Sequence, residues 1–104
     1  MCMSRNLDKT NIINNISENI NIFQSFDKVY IFGSILNPEK DSNDIDLLLL
    51  YRDYSDDIKE NINAITDILQ LQTSYIIDIT ALSTDEENEV NFIEKLNNRY
   101  LCVK

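Results

Sequence analysis

Apolar residues follow helical spacing in some stretches of this chain and strand spacing in others. Isoleucine and phenylalanine recur every three or four positions between residues 8 and 26, which predicts a first helix with Asp8 as its N-cap. A run of β-branched and aromatic residues predicts a strand over 28–32 that ends at Gly33. A second strand is predicted over 44–51, and its unbroken leucine run indicates that both faces are covered.

The second half of the chain continues the alternation. A second helix is predicted from an N-cap at Ser55 to about residue 72, and a third strand over 74–81. Thr84 and Glu87 have capping-box spacing, which predicts the start of a single last helix. The segment 99–104 is predicted to be a short terminal strand or an apolar tail folded onto the core. The buried stripe of the second helix is expected to be Ile58, Ile62, Ile65 and Leu69.

This order of elements predicts an α+β fold: a small mixed β-sheet with helices packed mainly on one face. The first two strands are joined by a short segment and should be antiparallel neighbours. The second and third are joined by a helix and should be parallel, with a right-handed crossover. No repeat or linker divides the 104 residues, so one domain over 1–104 is expected.

Composition narrows the range of functions. The formal net charge of −9 disfavours binding to nucleic acid and to anionic membranes. The absence of histidine excludes Ser/His/Asp triads and histidine metal sites. Cys2 and Cys102 lack ligand spacing, and with no signal segment or membrane-length apolar run we expect a soluble, reduced, cytoplasmic protein. A disulfide between the two cysteines is the less favoured alternative.

Three aspartates indicate a metal site. Because side chains alternate along a strand, Asp44 and Asp46 should share one face. Asp78, on the neighbouring parallel strand, can present a third carboxylate to the same place. Carboxylates so close repel one another, and an oxygen-only cluster suits Mg²⁺ or Mn²⁺. Asp78 lies within an apolar strand, where burial without a partner would be costly, and this favours a functional role.

The chain's single glycine, Gly33, precedes Ser34 at the end of the first strand. A glycine there allows positive φ or the close approach of a ligand, and the Ser34 hydroxyl can donate to a phosphate oxygen. Carboxylates beside an anion site suit nucleotidyl transfer, in which two cations stabilise the attacking and leaving oxygens. Asp78 is then the group placed to assist deprotonation of the acceptor hydroxyl.

At these residues the chain resembles the DNA polymerase β nucleotidyltransferase superfamily. Its pattern is an apolar strand ending in Gly-Ser, then Asp-hydrophobic-Asp on a strand, then a third acid on a later strand. Gly33-Ser34, Asp44-Ile45-Asp46 and Asp78 match it in order and spacing. The resemblance covers most of the chain, whose size is similar to that of the minimal nucleotidyltransferases. Members of that group are often paired with a HEPN-domain toxin, which they neutralise by transferring AMP from ATP to a tyrosine hydroxyl.

The resemblance implies a role for each motif residue. Asp44 and Asp46 would bind both metal ions, Asp78 one metal ion and the nucleophile, and Gly33 and Ser34 the triphosphate of ATP or another nucleotide. Many family members carry an Arg- and Gly-containing loop between the two motifs. Here the loop spans 35–43, and Lys40 is its one basic residue.

The sequence therefore indicates two alternative functions from different classes. The first is an Mg²⁺-dependent nucleotidyltransferase acting on a hydroxyl of a partner protein, as the antitoxin of a HEPN toxin. A partner or self-association would complete its cleft. The second is a catalytically weak or inactive module of the same fold that neutralises or regulates its partner by complex formation. A dimeric enzyme that modifies a small molecule is a more distant third.

Overall fold

A computed structural model describes residues 5–37 and 44–104, except for the side chains of residues 5–10. The helices and strands alternate along the chain as the periodicity predicts. In order they are α1 (Arg5–Glu18), a 3₁₀ turn (Ile20–Phe23), β1 (Lys28–Phe32), a second 3₁₀ turn (Ser34–Leu36), β2 (Asp44–Tyr51), α2 (Asp56–Thr73), β3 (Ile76–Ser83), α3 (Thr84–Val90), α4 (Phe92–Lys95) and β4 (Tyr100–Cys102).

In the described part of the chain the strands form a four-stranded mixed sheet with the order β3-β2-β1-β4. β1 and β2 are antiparallel, whereas β2 and β3 are parallel and joined through α2. Both pairings confirm the predicted strand directions and neighbours, and the α+β class is confirmed as well. β4 is antiparallel to β1, so the segment predicted as a strand or a folded tail is an edge strand.

One face of the sheet carries the main core. Here α1 and α2 place their apolar stripes over the inward residues of β1, β2 and β3. Ile65 and Leu69 of α2 are buried, with Ile58, and Ile62 packs at the margin, as the stripe predicts. Leu47, Leu48 and Leu49 are completely buried, which confirms that both faces of β2 are covered along the leucine run.

The other face is covered by the short helices α3 and α4. The Phe92 ring of α4 meets the Phe32 ring of β1 edge-to-face, with centroids 5.4 Å apart. The Glu87 carboxylate accepts hydrogen bonds from the backbone N–H groups of Phe92 and Ile93, at 2.8 and 3.3 Å, and so fixes the α3–α4 junction. The two longest helices lie on one face, as predicted, and the three acids described below lie on this other one.

The first helix differs from its prediction. It begins at Arg5, so Asp8 lies within the helix and is not its N-cap, and it ends at Glu18 instead of continuing to residue 26. The Asn19 side-chain amide donates to the Asn15 carbonyl at 2.7 Å, and the chain then tightens into the first 3₁₀ turn. Asparagine competes for backbone hydrogen bonds in this way, which is why it favours helix ends. Ile20, one of the regularly spaced isoleucines of the predicted first helix, is 39% exposed as a result.

The capping box of α3 lies one residue earlier than predicted. Ser83, not Thr84, is the N-cap: its hydroxyl accepts from the Glu86 N–H at 3.0 Å, and its own N–H donates to the Glu86 carboxylate at 2.9 Å. The pairs Ser83–Glu86 and Thr84–Glu87 both have the spacing of a capping box. Because β3 continues to Ser83, the helix begins after this residue and the first pair forms the box. The prediction of a single last helix is also wrong, because Asn91, with φ +52°, divides this segment into α3 and α4.

The third strand begins later than predicted. Ser74 takes a left-handed conformation, with φ +62°, and caps the end of α2, so that β3 starts at Ile76. At the start of α2, Ser55 is the N-cap residue, although its side chain makes no capping hydrogen bond. No helix in residues 5–37 and 44–104 is long and apolar enough to cross a membrane. Cys102 is an exposed free thiol, and Cys2 lies outside the described residues.

Candidate active site

The parallel register of β2 and β3 places Asp46 and Asp78 side by side. They are direct partners, and Phe32 of β1 is the partner of Asp46 on its other side. Asp44 lies two residues before Asp46 and therefore on the same face. The structure thus brings the three predicted acids to one face at one end of the sheet.

Asp46 is the least exposed of these acids. Its side chain is partly buried, and burial raises the pKa of its carboxyl above the ordinary value, with smaller contributions from the negative charges of Asp78 and Asp44. A carboxylate that is both desolvated and close to like charges is stabilised strongly by a bound cation.

Gly33 lies directly against Asp46. Its φ of +90° and ψ of −165° form a backbone conformation that is essentially restricted to glycine. A Cβ at this position would collide with the Asp46 Oδ2 atom and lie 3.0 Å from its Cγ. The glycine is therefore required both by its backbone conformation and by the space that the Asp46 carboxylate occupies.

Ser34 begins the second 3₁₀ turn, which is held by two backbone hydrogen bonds. The Leu36 N–H donates to the Gly33 carbonyl at 3.1 Å, and the Asn37 N–H donates to the Ser34 carbonyl at 3.0 Å. Ile35 anchors the turn because its side chain is buried in the main core. The chain therefore turns directly after Gly33. Pro38 and Lys40, in the rest of the predicted loop, lie outside the described residues.

Asp78 is not buried, contrary to the expectation from its apolar strand. Its side chain is exposed, because β3 is an edge strand of the sheet and this end of its outer face is open. Burial therefore does not by itself require a partner for this carboxylate. What distinguishes Asp78 is its place beside Asp46, on the accessible side of the acid pair.

The chemistry of these donors fits a hard divalent cation. Carboxylate oxygens from two adjacent strands are the ligands that Mg²⁺ and Mn²⁺ prefer. A bound cation would offset both the burial and the neighbouring negative charges that raise the pKa of Asp46. Within residues 11–37 and 44–104, no three His, Cys, Asp or Glu side chains are already arranged to enclose a metal ion. Asp44, Asp46 and Asp78 thus provide suitable donors on one face without a preformed cage.

Two adjoining cavities, of about 590 and 290 Å³, open beside Gly33. The larger has an apolar and aromatic portion, and the smaller includes Ser34. Sequence reasoning predicted the Gly-Ser side of this space but not its opposite wall, which is formed around the start of β4. Both cavities share Gly33, Asn37 and Arg99; the larger adds Leu36, Asn98, Tyr100 and Leu101, and the smaller adds Phe32, Ser34 and Leu96.

Comparison with known proteins agrees with this geometry. The sequence profile of the family described as polymerase beta, nucleotidyltransferase matches residues 11–102, which is nearly the whole chain. The protein therefore belongs to the polymerase beta nucleotidyltransferase family, whose general reaction is transfer of a nucleoside monophosphate.

A crystal structure of a candidate nucleotidyltransferase from Sulfolobus solfataricus has the same fold. It aligns with a TM-score of 0.56 at 16% sequence identity, over 98% of this chain and 87% of the other. At that identity the likeness concerns the fold alone. No curated protein matches the chain by sequence.

Proposed function

We propose that this protein transfers AMP from ATP to a hydroxyl group of a partner protein in the cytoplasm, with a HEPN-type toxin as the partner and neutralisation of the toxin as the result. The observation that carries the proposal is the arrangement around Asp46. Its carboxylate lies against a glycine that cannot be replaced without collision, and it pairs with Asp78 across the parallel strands.

In this reaction the acceptor oxygen attacks the α-phosphorus of ATP. A new phosphorus–oxygen bond forms, the bond from the α-phosphorus to the bridging oxygen breaks, and pyrophosphate leaves with the electron pair. The hydroxyl proton passes to Asp78 or, through it, to solvent. Gly33 lets the nucleotide approach the backbone, and the Ser34 hydroxyl donates to a phosphate oxygen.

Asp44, Asp46 and Asp78 are the residues that would hold Mg²⁺ or Mn²⁺. When bound, these ions supply charge stabilisation at the attacking and leaving oxygens. The raised pKa of Asp46 means that this carboxyl holds its proton to a higher pH than an exposed aspartate does. We therefore expect transfer activity to fall as the pH is lowered through that pKa.

The acceptor is proposed to be a macromolecule because the acid pair lies at an open edge. Asp78 is exposed on β3, so a hydroxyl on the surface of another protein can reach the acids from that side. The short α3 and α4 leave this end of the sheet accessible, which suits an acceptor group carried on a protruding loop.

The test uses purified protein, Mg²⁺, the protein encoded next to it, and ATP labelled on either the α- or the γ-phosphate. Label from the α-position should appear on the partner, and label from the γ-position should not. Asp46→Asn and Asp78→Asn should each reduce transfer by at least about 100-fold, because each removes a carboxylate from the reacting centre. Asp67→Asn, at an exposed site on α2, is the matched control and should leave transfer unchanged.

A catalytically weak binding module remains the second candidate. It is favoured by the absence of a ready-made three-ligand metal site in the described residues. The same experiment separates the two functions. Tight complex formation by wild type and Asp46→Asn alike, with no label transferred by either, would support the binding module and overturn the transferase.

A further inference from the structure

The two cavities beside Gly33 have a cation in their lining, whereas none of the three acids lines either of them. Arg99 lines both of them, together with Gly33 and Asn37. Its backbone N–H donates to the Leu96 carbonyl at 2.9 Å, which fixes the chain just before β4. Its side chain is exposed and makes no ion pair within the described residues.

The strand register explains how Arg99 comes to this position. Phe32 of β1 lies between Tyr100 of β4 and Asp46 of β2. Because β1 and β4 are antiparallel, the residue after Phe32 and the residue before Tyr100 come next to each other. These are Gly33 and Arg99. Two strand spacings separate β4 from β2, about 10 Å, with the side-chain-free glycine between them.

The other described basic side chains are placed elsewhere. The Lys104 amine donates to the carbonyls of Phe23 and Phe26, at 3.0 and 2.6 Å. Arg52 lies beyond the far end of β2 and pairs with Asp27 at 3.4 Å. Of the basic residues whose side chains are described, Arg99 is the one that lines these cavities.

A triphosphate in this protein needs such a group. The net charge of −9 repels a polyanion, and the three acids at the end of the sheet add to that repulsion locally. A guanidinium presents a planar set of donors that matches phosphate oxygens and forms charge-assisted hydrogen bonds. The larger cavity, at about 590 Å³, is within the range of small-molecule sites.

We infer that Arg99 is a substrate-binding residue that holds the terminal phosphates of the nucleoside triphosphate, on the side of Gly33 opposite Asp46. The inference rests on the proposed nucleotidyl transfer and adds to it a residue from the C-terminal edge strand. It also provides a cation for the triphosphate that does not come from the 35–43 loop. The inference also sets the orientation of the bound nucleotide: its α-phosphate lies towards the acids and its terminal phosphates lie towards β4.

The test is equilibrium binding of ATP, AMP and inorganic tripolyphosphate to wild type, Arg99→Gln and Arg99→Lys. Arg99→Gln should weaken ATP and tripolyphosphate by about tenfold or more, as expected for the loss of a charged hydrogen bond, and should change AMP little. Arg99→Lys should recover part of the affinity. Arg52→Gln is the control, because it removes another exposed arginine, at the opposite end of the sheet. Thermal unfolding of each variant verifies that the fold is retained.

In the transfer assay, Arg99→Gln should raise the KM for ATP while leaving kcat within a few-fold of wild type. If Arg99→Gln binds ATP and tripolyphosphate as Arg52→Gln does, while wild type transfers label, the assignment of Arg99 fails and the transferase stands. If wild type binds tripolyphosphate through Arg99 but transfers no label, the anion site stands and the proposed transfer fails. If wild type binds neither ATP nor tripolyphosphate, both are overturned.

Discussion

The two faces of β2 show how one strand serves both stability and chemistry. On one face, Ile45 and Leu47 are completely buried beneath α1 and α2. On the other, Leu48 is also completely buried, but Asp46, near the start of the strand, is partly exposed and is surrounded by the charges of Asp44 and Asp78. The buried leucines gain free energy from apolar burial, and this offsets the electrostatic repulsion among the acids at the open end of the strand. The contrast between Leu47 and Asp46, adjacent in sequence, can therefore be tested directly.

The largest effect is expected from Leu47→Ala. Removing a completely buried leucine side chain should lower the free energy of unfolding by about 2–5 kcal/mol. Asp46→Ala, at the preceding position but at the open end of the other face, should leave stability unchanged or raise it. Urea unfolding of the two variants measures the difference. Equal losses in both would mean that the faces do not divide stability and chemistry in this way.

Gly33→Ala tests the contact that joins β1 to the acids. The backbone conformation of Gly33 should cost a side-chain-bearing residue about 1–3 kcal/mol, and the new Cβ would displace the Asp46 carboxylate. We expect reduced stability together with at least about a tenfold loss of nucleotide transfer. The double variant with Asp46→Ala should recover only the part of the stability loss that comes from the collision. Full additivity of the two changes would show that they do not interact.

Lys104→Met tests whether the contact between the C-terminal segment after β4 and the segment before β1 contributes to stability. The Lys104 amine bonds to the carbonyls of Phe23 and Phe26, and the Val103 N–H donates to the Val29 carbonyl at 2.8 Å. Loss of the amine should cost about 1 kcal/mol of unfolding free energy. Lys95→Met, at an exposed position on α4, should cost less. Chemical denaturation would contradict this expectation if the two variants were equally stable.

The smallest effect concerns pH. Because the pKa of Asp46 is raised in the folded state above 3.8, its charge opposes folding. Its contribution to the stability of the metal-free protein is complete below pH 3.8 and is lost as the pH rises through the raised value. Relative to Asp46→Asn, the wild type should therefore become less stable between acidic and neutral pH. Thermal unfolding over that range measures the difference.

Mg²⁺ provides the complement to the pH series. At neutral pH it should stabilise wild type more than Asp46→Asn, because only the wild type presents the full set of carboxylates. An equal shift of the melting temperature in both proteins would show that Asp46 does not contribute to a cation site.

The sequence predicted most of the secondary structure that positions the acids. β1 and β2 have the predicted bounds, and the common face of Asp44 and Asp46 follows from the two-residue period of a strand. The predicted pairing of the strands is also confirmed. The roles of the acids, of Gly33 and of Ser34 stay predictions.

The predictions from sequence were wrong or incomplete where a neighbouring element selected one of two locally possible structures. Ser83 and Thr84 both satisfy the spacing of a capping box, and the length of β3 selects Ser83. Asp78 lies in an apolar stretch that is typical of burial, yet it is exposed because β3 is an edge strand. Arg99 carries no local signal, since its position depends on the pairing of β4 with β1.

By itself, then, the sequence determined the alternation of helices and strands, the covered faces of β2 and the acids that share its open end. These depend on periodicity, which the chain carries in its own order of residues. The tertiary structure decided which groups face those acids across space. Gly33 meets the Asp46 carboxylate, Asp78 lies at an open edge, and Arg99 lines the cavities beyond Gly33, because strand order and register join residues that are distant in sequence.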